Sequence, residues 1–211
     1  TTLAAIRKQY PKAILLQVAN KGLDIGPFFE MMNLVISKNL KYDYVLKIHT
    51  KKSLGVNAAI GESWRRKSYE SLMGSQSIVF HILRLFNAKL GIGMIGPYES
   101  RMSVSVNDVK NGGNANAKNI AALSKRLEIR DKNLDFFGGT MFWVRWSIFE
   151  EKFRKKTLSI DEFEPGYKKD ELLSHAVERL LASIVRDANY ELYEINKVND
   201  YIFYKSRKKK I

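Results

Sequence analysis

The 211-residue chain contains no cysteine and only three histidines, His49, His81 and His175. Without thiols there is neither a disulfide nor a thiolate metal site, and three imidazoles are too few for a histidine-rich centre. Long apolar runs are missing too. No stretch approaches the roughly 20 residues needed to cross a bilayer. The amino end, Thr1-Thr-Leu-Ala-Ala-Ile-Arg-Lys, also lacks the extended apolar segment of a signal peptide. These absences lead us to expect a cytoplasmic protein.

What is abundant is positive charge. Thirty-six Lys and Arg stand against 22 Asp and Glu, a formal charge of +14. Anionic partners are therefore expected: nucleic acid, an acidic membrane or phosphate-bearing small molecules. Part of the excess is a tail, Lys205-Ser-Arg-Lys-Lys-Lys-Ile211, which reads either as a solvated end or as a peripheral contact with the inner face of an anionic membrane. At this length and 45% hydrophobic content we expect one domain with a real core over residues 1–204, followed by the basic tail at 205–211.

Residues 2 to 10 read as a helix closed by Pro11. Ala13 to Ala19 is a near-continuous apolar run, expected to form a parallel strand covered on both faces. It enters a turn, Asn20-Lys-Gly-Leu-Asp-Ile-Gly-Pro-Phe28, where Gly22 and Gly26 permit tight bends and Pro27 suits the opening of a helix from Phe28 to Leu40. The next strand carries Val45, Leu46 and Ile48 and ends abruptly in His49, Thr50, Lys51, Lys52 and Ser53. Strand, turn, helix and strand predict a right-handed βαβ unit. A cluster of donors beyond a strand's carboxyl end is where open α/β sheets place ligands, although a solvated basic turn has the same composition.

Further on, small residues from Leu54 to Gly61 precede a helical segment opening at Trp64-Arg65, and Ile78 to Phe86 reads as a helix on which His81 is structural. Gly91-Ile-Gly-Met-Ile-Gly-Pro97 is a short strand. Its glycines do not fit the phosphate-binding fingerprint, because Pro97 stands where a helix would have to begin. The polar stretch from 99 to 119, rich in Asn and Gly, reads as a mobile loop, either a lid or a plain excursion. Ile120 to Leu127 follows as a helix. Phe136 to Arg145 joins an aromatic strand to the pair Gly138-Gly139, where backbone approaches something closely, and Trp146 to Arg154 continues as a helix. On a helix from Asp170 to Val185, Glu171, His175 and Glu178 share one face. That is the equipment of general-base catalysis and equally the look of a surface ion pair. Tyr190 to Ile195 and Tyr201 to Tyr204 are late strands or edge segments.

Five motifs carry a resemblance: Asn20 to Phe28, Lys47-Ile-His-Thr-Lys-Lys-Ser53, Trp64-Arg65, Gly138-Gly-Thr-Met-Phe-Trp143 with Arg145, and His175-Ala-Val-Glu-Arg-Leu180. Their order resembles the rhamnan synthesis F family, proteins implicated in building bacterial and related surface polysaccharides, over roughly Tyr10 to Val185. More distantly it resembles the nucleotide-sugar transferase fold called GT-A. The resemblance implies a mainly parallel, Rossmann-like α/β sheet with helices on both faces. It implies a glycosyltransferase of hexosyl groups, with a dTDP- or UDP-sugar donor, of rhamnose or galactose, and a glycan or lipid-linked saccharide acceptor.

By the same resemblance Asn20, Gly22 and Asp24 form a donor-site turn, and His49, Thr50, Lys51, Lys52 and Arg179 contact the donor diphosphate. Trp64, Arg65, Gly138, Gly139, Thr140, Trp143 and Arg145 line the acceptor pocket, and the base is sought among Asp170, Glu171, His175 and Glu178. Many GT-A enzymes hold a divalent metal on an Asp-x-Asp. Cations occupy that place here, so the implied chemistry uses no metal and no cofactor, with the nucleotide sugar as co-substrate. GT-A domains usually begin with a base-binding strand, and nothing precedes the first helix, so the resemblance implies a chain lacking that strand. The rival reading is a non-catalytic basic module for nucleic acid or polyanionic surfaces. No nucleic-acid motif supports it, and no nucleic-acid partner is expected.

Overall fold

The computed structural model describes residues 2–50, 58–104, 116–168, 171–198 and 201–206. Along the chain come α1 (Thr2–Gln9), α2 (Ile25–Ser37), β1 (Tyr44–Lys47), α3 (Ala58–Met73), α4 (Gln76–Ala88), β2 (Ile92–Pro97), β3 (Arg101–Ser103) and α5 (Ala117–Arg126). They are followed by β4 (Asp135–Phe137), β5 (Phe142–Arg145), α6 (Trp146–Lys155), α7 (Leu173–Asp187), β6 (Glu191–Val198) and β7 (Tyr201–Ser206). Lys51, Lys52 and Asp170 fall outside the described residues, as do 54–57 and 105–115 of the expected loops at 54–61 and 99–119. The remainder corrects those loops, since 58–61 already belongs to α3, 101–103 forms β3 and 117–119 opens α5. Of the expected tail, only 205 and 206 are described, and they end β7.

The main sheet has the order β1-β5-β2-β6-β7, and β3 pairs with β4 in a separate ribbon. β1, β2 and β6 run one way and β5 and β7 the other, so β2 with β6 is the one parallel ladder among the described strands. The expectation of a mainly parallel sheet is therefore corrected to a mixed one. The cause is β5, which leaves the turn at 138–140 and inserts antiparallel between β1 and β2, separating strands that share a direction.

A second correction concerns Ala13 to Ala19, which joins no ladder and leaves Ile14 45% and Leu16 39% exposed. An apolar run becomes a strand only where a neighbouring strand takes its N–H and C=O groups. The predicted βαβ unit at the amino end is absent for the same reason.

α2 opens at Ile25 and buries Ile25, Phe29 and Met32, at i, i+4 and i+7. It stops because Asn39 adopts φ +50 and the Leu40 amide turns back to the Val35 carbonyl at 3.0 Å. α4 starts where the Ser75 hydroxyl accepts the Ile78 amide at 3.3 Å. Two apolar layers flank the sheet. One joins Phe29, Phe142, Val144, Phe149 and Leu180 from α2, β5, α6 and α7, and the other joins Leu72, Ile82, Phe86 and Ile95 from α3, α4 and β2. Helices on both faces are thus as expected, and alternation along β5 sends Phe142 and Val144 to one layer and Trp143 to the other. Among the described residues no helix is long and apolar enough to cross a membrane.

Candidate functional site

β1, β2 and β6 end at the same edge of the sheet, and β5 begins there. Period two along β1 puts Val45 and Lys47 on one face, with His49 next in line beyond the strand. Lys47 is 4% exposed. Its ammonium donates to Asp24 Oδ2 at 2.5 Å, to Thr140 Oγ1 at 3.0 Å and to the Thr140 carbonyl at 3.1 Å, which uses all three of its protons. The Thr140 hydroxyl in turn donates to Asp24. The Phe28 ring lies 5.3 Å from the ammonium.

Burial opposes charge on Asp24, but Lys47, His49 and the hydrogen bonds from Lys47 and Thr140 outweigh it, and its pKa lies below the ordinary 3.8. At Lys47 burial dominates and lowers the pKa from 10.5, against the opposing pull of Asp24 and Glu178. Asp24 reaches this position through the turn before α2, bent at Gly22 (φ +69) and Leu23 (φ +55). The Gly22 amide donates to the Glu164 carbonyl at 3.1 Å, and a Cβ on Gly22 would meet the Phe163 ring at 2.6 Å. Although Asp24 stands at the amino cap of α2, its side chain makes no cap bond and turns to Lys47 instead.

Gly139 joins the remaining parts. Its φ is +77 and that of Thr140 is +51, so two successive left-handed residues turn the chain between β4 and β5. The Gly139 amide donates to Glu178 Oε1 at 2.8 Å, and its carbonyl lies 2.7 Å from His49 Nε2. That contact assigns the ring proton to Nε2. A Cβ on Gly139 would stand 2.6 Å from the Trp64 indole, so both backbone shape and space demand glycine. His49 Nε2 is also 3.6 Å from Asp24 Oδ2, and the Tyr69 hydroxyl donates to the His49 carbonyl at 2.7 Å.

The structure thus gathers Asp24, Gly22, His49, Trp64, Gly139, Thr140 and Glu178 into one constellation, with Thr50 and Gly138 adjoining it in sequence. Other candidates stand elsewhere. Trp143 faces the opposite layer, where its indole donates to the Leu72 carbonyl at 3.0 Å. Arg145, at the far end of β5, donates to the carbonyls of Phe86 and Ile92 and stacks among Tyr44, Phe86 and Tyr190. Arg65 pairs with Glu62 one turn away on α3, and Asn20 is exposed.

α7 begins only at Leu173, because Leu172 is extended (φ −75, ψ 153) and Glu171 has φ +82. Glu171 therefore precedes the helix and does not share a face with His175 and Glu178, which corrects the expected three-residue face. His175 Nδ1 accepts the Leu172 amide at 3.3 Å and helps close the helix start. Arg179 donates to the His175 carbonyl at 2.6 Å and lies over the Phe136 ring at 5.6 Å. Lys51, Lys52 and Asp170 lie outside the described residues.

Sequence reasoning passed over Lys47 and Tyr69. For Lys47 a signal existed: a lysine on the same alternating face as Val45 in an apolar strand needs a buried counter-charge. Nothing local pointed to Asp24 as that partner. Among the described residues no group of three or more His, Asp or Glu could hold a metal ion. The Lys47–Asp24 pair acts as a clamp that fixes the strand end against the turns before α2 and β5. His49 and Glu178, held at that clamp through Gly139, are the groups able to move a proton.

Comparison with curated proteins and with solved structures gives no match. The family model for rhamnan synthesis protein F matches residues 3–190, a span that includes every member of this constellation. The chain therefore belongs to the rhamnan synthesis protein F family, and with it to the building of a polysaccharide.

Proposed function

We propose that the chain transfers a sugar from a nucleotide-sugar donor, a dTDP- or UDP-sugar, to a growing glycan. The observation that carries this reading is the joining of Asp24, Lys47, His49, Gly139 and Glu178 at the edge where β1, β2 and β6 end, the position at which α/β sheets bind ligands. The donor diphosphate lies beyond the end of β1, beside His49 and the Thr50, Lys51 and Lys52 that follow it in sequence, where cations favour anions. The acceptor hydroxyl attacks the anomeric carbon, and the bond from that carbon to the diphosphate oxygen breaks with its electron pair leaving on the nucleotide. The hydroxyl proton passes to Glu178, the carboxylate aligned on Gly139, while Trp64 offers a ring face to the acceptor sugar. A GT-A-like course is supported by the common direction of β1, β2 and β6. Cations in place of metal-binding carboxylates favour a mechanism without a divalent ion.

The test is a panel of nucleotide sugars and free nucleotides in thermal shift, with and without a divalent ion, followed by a transfer assay with the donor that stabilises. A ligand at 100 times its Kd raises stability by about 2.7 kcal/mol. No nucleotide-dependent shift, or an equal shift in His49→Ala, overturns the reading.

A further inference from the structure

A cleft of about 820 Å³ opens between α5, the turn that follows it, and residues of α6 and α7. It is distinct from the strand-edge site. Asp187 in its wall lies nine residues beyond Glu178 on α7, ~13 Å at 1.5 Å per residue. The floor is apolar, formed by Ile120, Ile129 and Leu134. The rim carries Lys125, Arg130, Lys132 and Lys152, together with the carboxylates of Glu128, Asp131 and Asp187.

Each of those carboxylates is already answered. Asp187 accepts the amides of Arg130 and Asp131 at 3.0 and 3.2 Å, Asp131 pairs with Arg186 at 2.8 Å, and Glu128 pairs with Lys156. Lys152 is itself tied to the Leu127 carbonyl at 2.9 Å. Among the described residues, the side chains of Lys125, Arg130 and Lys132 have no such partner. Three cations that form no ion pair thus stand around an apolar floor, in a cleft of the size that holds small molecules.

We propose that this cleft holds an amphiphile with a net anionic phosphate head, its alkyl chain on Ile120, Ile129 and Leu134 and its phosphate among Lys125, Arg130 and Lys132. A free phosphate would use the cations alone and leave the apolar side of the cleft unfilled, and a neutral or zwitterionic lipid would leave the cations uncompensated. The assignment is independent of sugar transfer at the strand edge.

The test is calorimetric titration of the full chain with dihexanoyl phosphatidic acid below its micellar concentration, with dihexanoyl phosphatidylcholine and inorganic phosphate in parallel. Phosphatidic acid binds the parent. It binds the exposed-site variant Lys125→Ala/Arg130→Ala/Lys132→Ala about 10²-fold more weakly, at roughly fivefold per basic residue. Ala121→Glu, which adds a carboxylate to the rim, weakens it by a similar factor per charge. The charge-matched control Lys8→Ala/Lys12→Ala/Lys38→Ala, away from the cleft, keeps the parent's affinity. Phosphatidylcholine and inorganic phosphate each bind about tenfold more weakly or worse, since each lacks one half of the match. No binding by the parent, or an equal loss in the control, overturns the site. Equal affinity for inorganic phosphate overturns the amphiphile, and equal affinity for phosphatidylcholine overturns the anionic head and the part given to the three cations.

Discussion

Glu178, on α7, accepts the backbone amide of Gly139 at 2.8 Å, which ties a helix to the turn that starts β5. A glutamine can keep this bond through its carbonyl oxygen while losing the charge. Glu178→Gln is therefore expected to melt close to the parent while transfer falls by about 10²- to 10⁴-fold, the usual span for removing a general base. His175→Ala, which loses the bond to the Leu172 amide, is expected to cost about 0.5–2 kcal/mol of stability and to leave turnover within a few-fold. Should the two variants exchange these profiles, His175 is the base.

Lys47 and Asp24 are expected to be strongly coupled. Lys47→Met leaves a carboxylate without its cation and is expected to cost roughly 3–5 kcal/mol, read by urea denaturation. The double variant Lys47→Met/Asp24→Asn is expected to lose clearly less than the sum of the two single changes. Additive losses would mean that the 2.5 Å contact contributes nothing as a pair.

Acid should dissolve the same contact. The Asp24 pKa in the folded chain lies below the 3.8 of an ordinary aspartate, so its stabilising contribution is complete above that pH and is lost as pH falls through the folded value. Denaturation of parent and Asp24→Asn is expected to show a constant gap at neutral pH that narrows below 3.8. A gap unchanged in acid would remove the charge from the explanation.

Gly139→Ala meets two obstacles, φ +77 and the Trp64 indole. Strain of this kind costs about 1–3 kcal/mol. Adding Trp64→Leu is expected to recover the steric share and leave the backbone share. If the second substitution recovers nothing, the indole is not what excludes a side chain.

On the reading that cations replace the metal, transfer is expected to persist in EDTA. Turnover that disappears in chelator and returns with manganese or magnesium would show that carboxylates complete a divalent site with oxygen ligands.

Much of this was legible along the chain. The apolar spacing marked α2, α4 and α7, the aromatic run marked β4 and β5, and five ordered motifs marked the family that residues 3–190 match. His49, Gly139 and Glu178 were singled out by their residue types and neighbours. The strand expected at Ala13 to Ala19 failed because pattern records which residues tolerate a strand, whereas a strand also needs a neighbour to bond. Glu171 was assigned to the wrong face because helical spacing was extended through a residue with φ +82.

What the sequence determined by itself is therefore local: helix faces, the Gly138-Gly139 turn, the excess of positive charge and the membership of a family. Tertiary structure alone decided that β5 would run antiparallel between β1 and β2, that Lys47 would face Asp24 from 23 residues away, and that Gly139 would hold His49 and Glu178 together. Those relations depend on which chain segments meet across the sheet, and a buried charge selects its partner by proximity in space, which spacing along the chain does not encode.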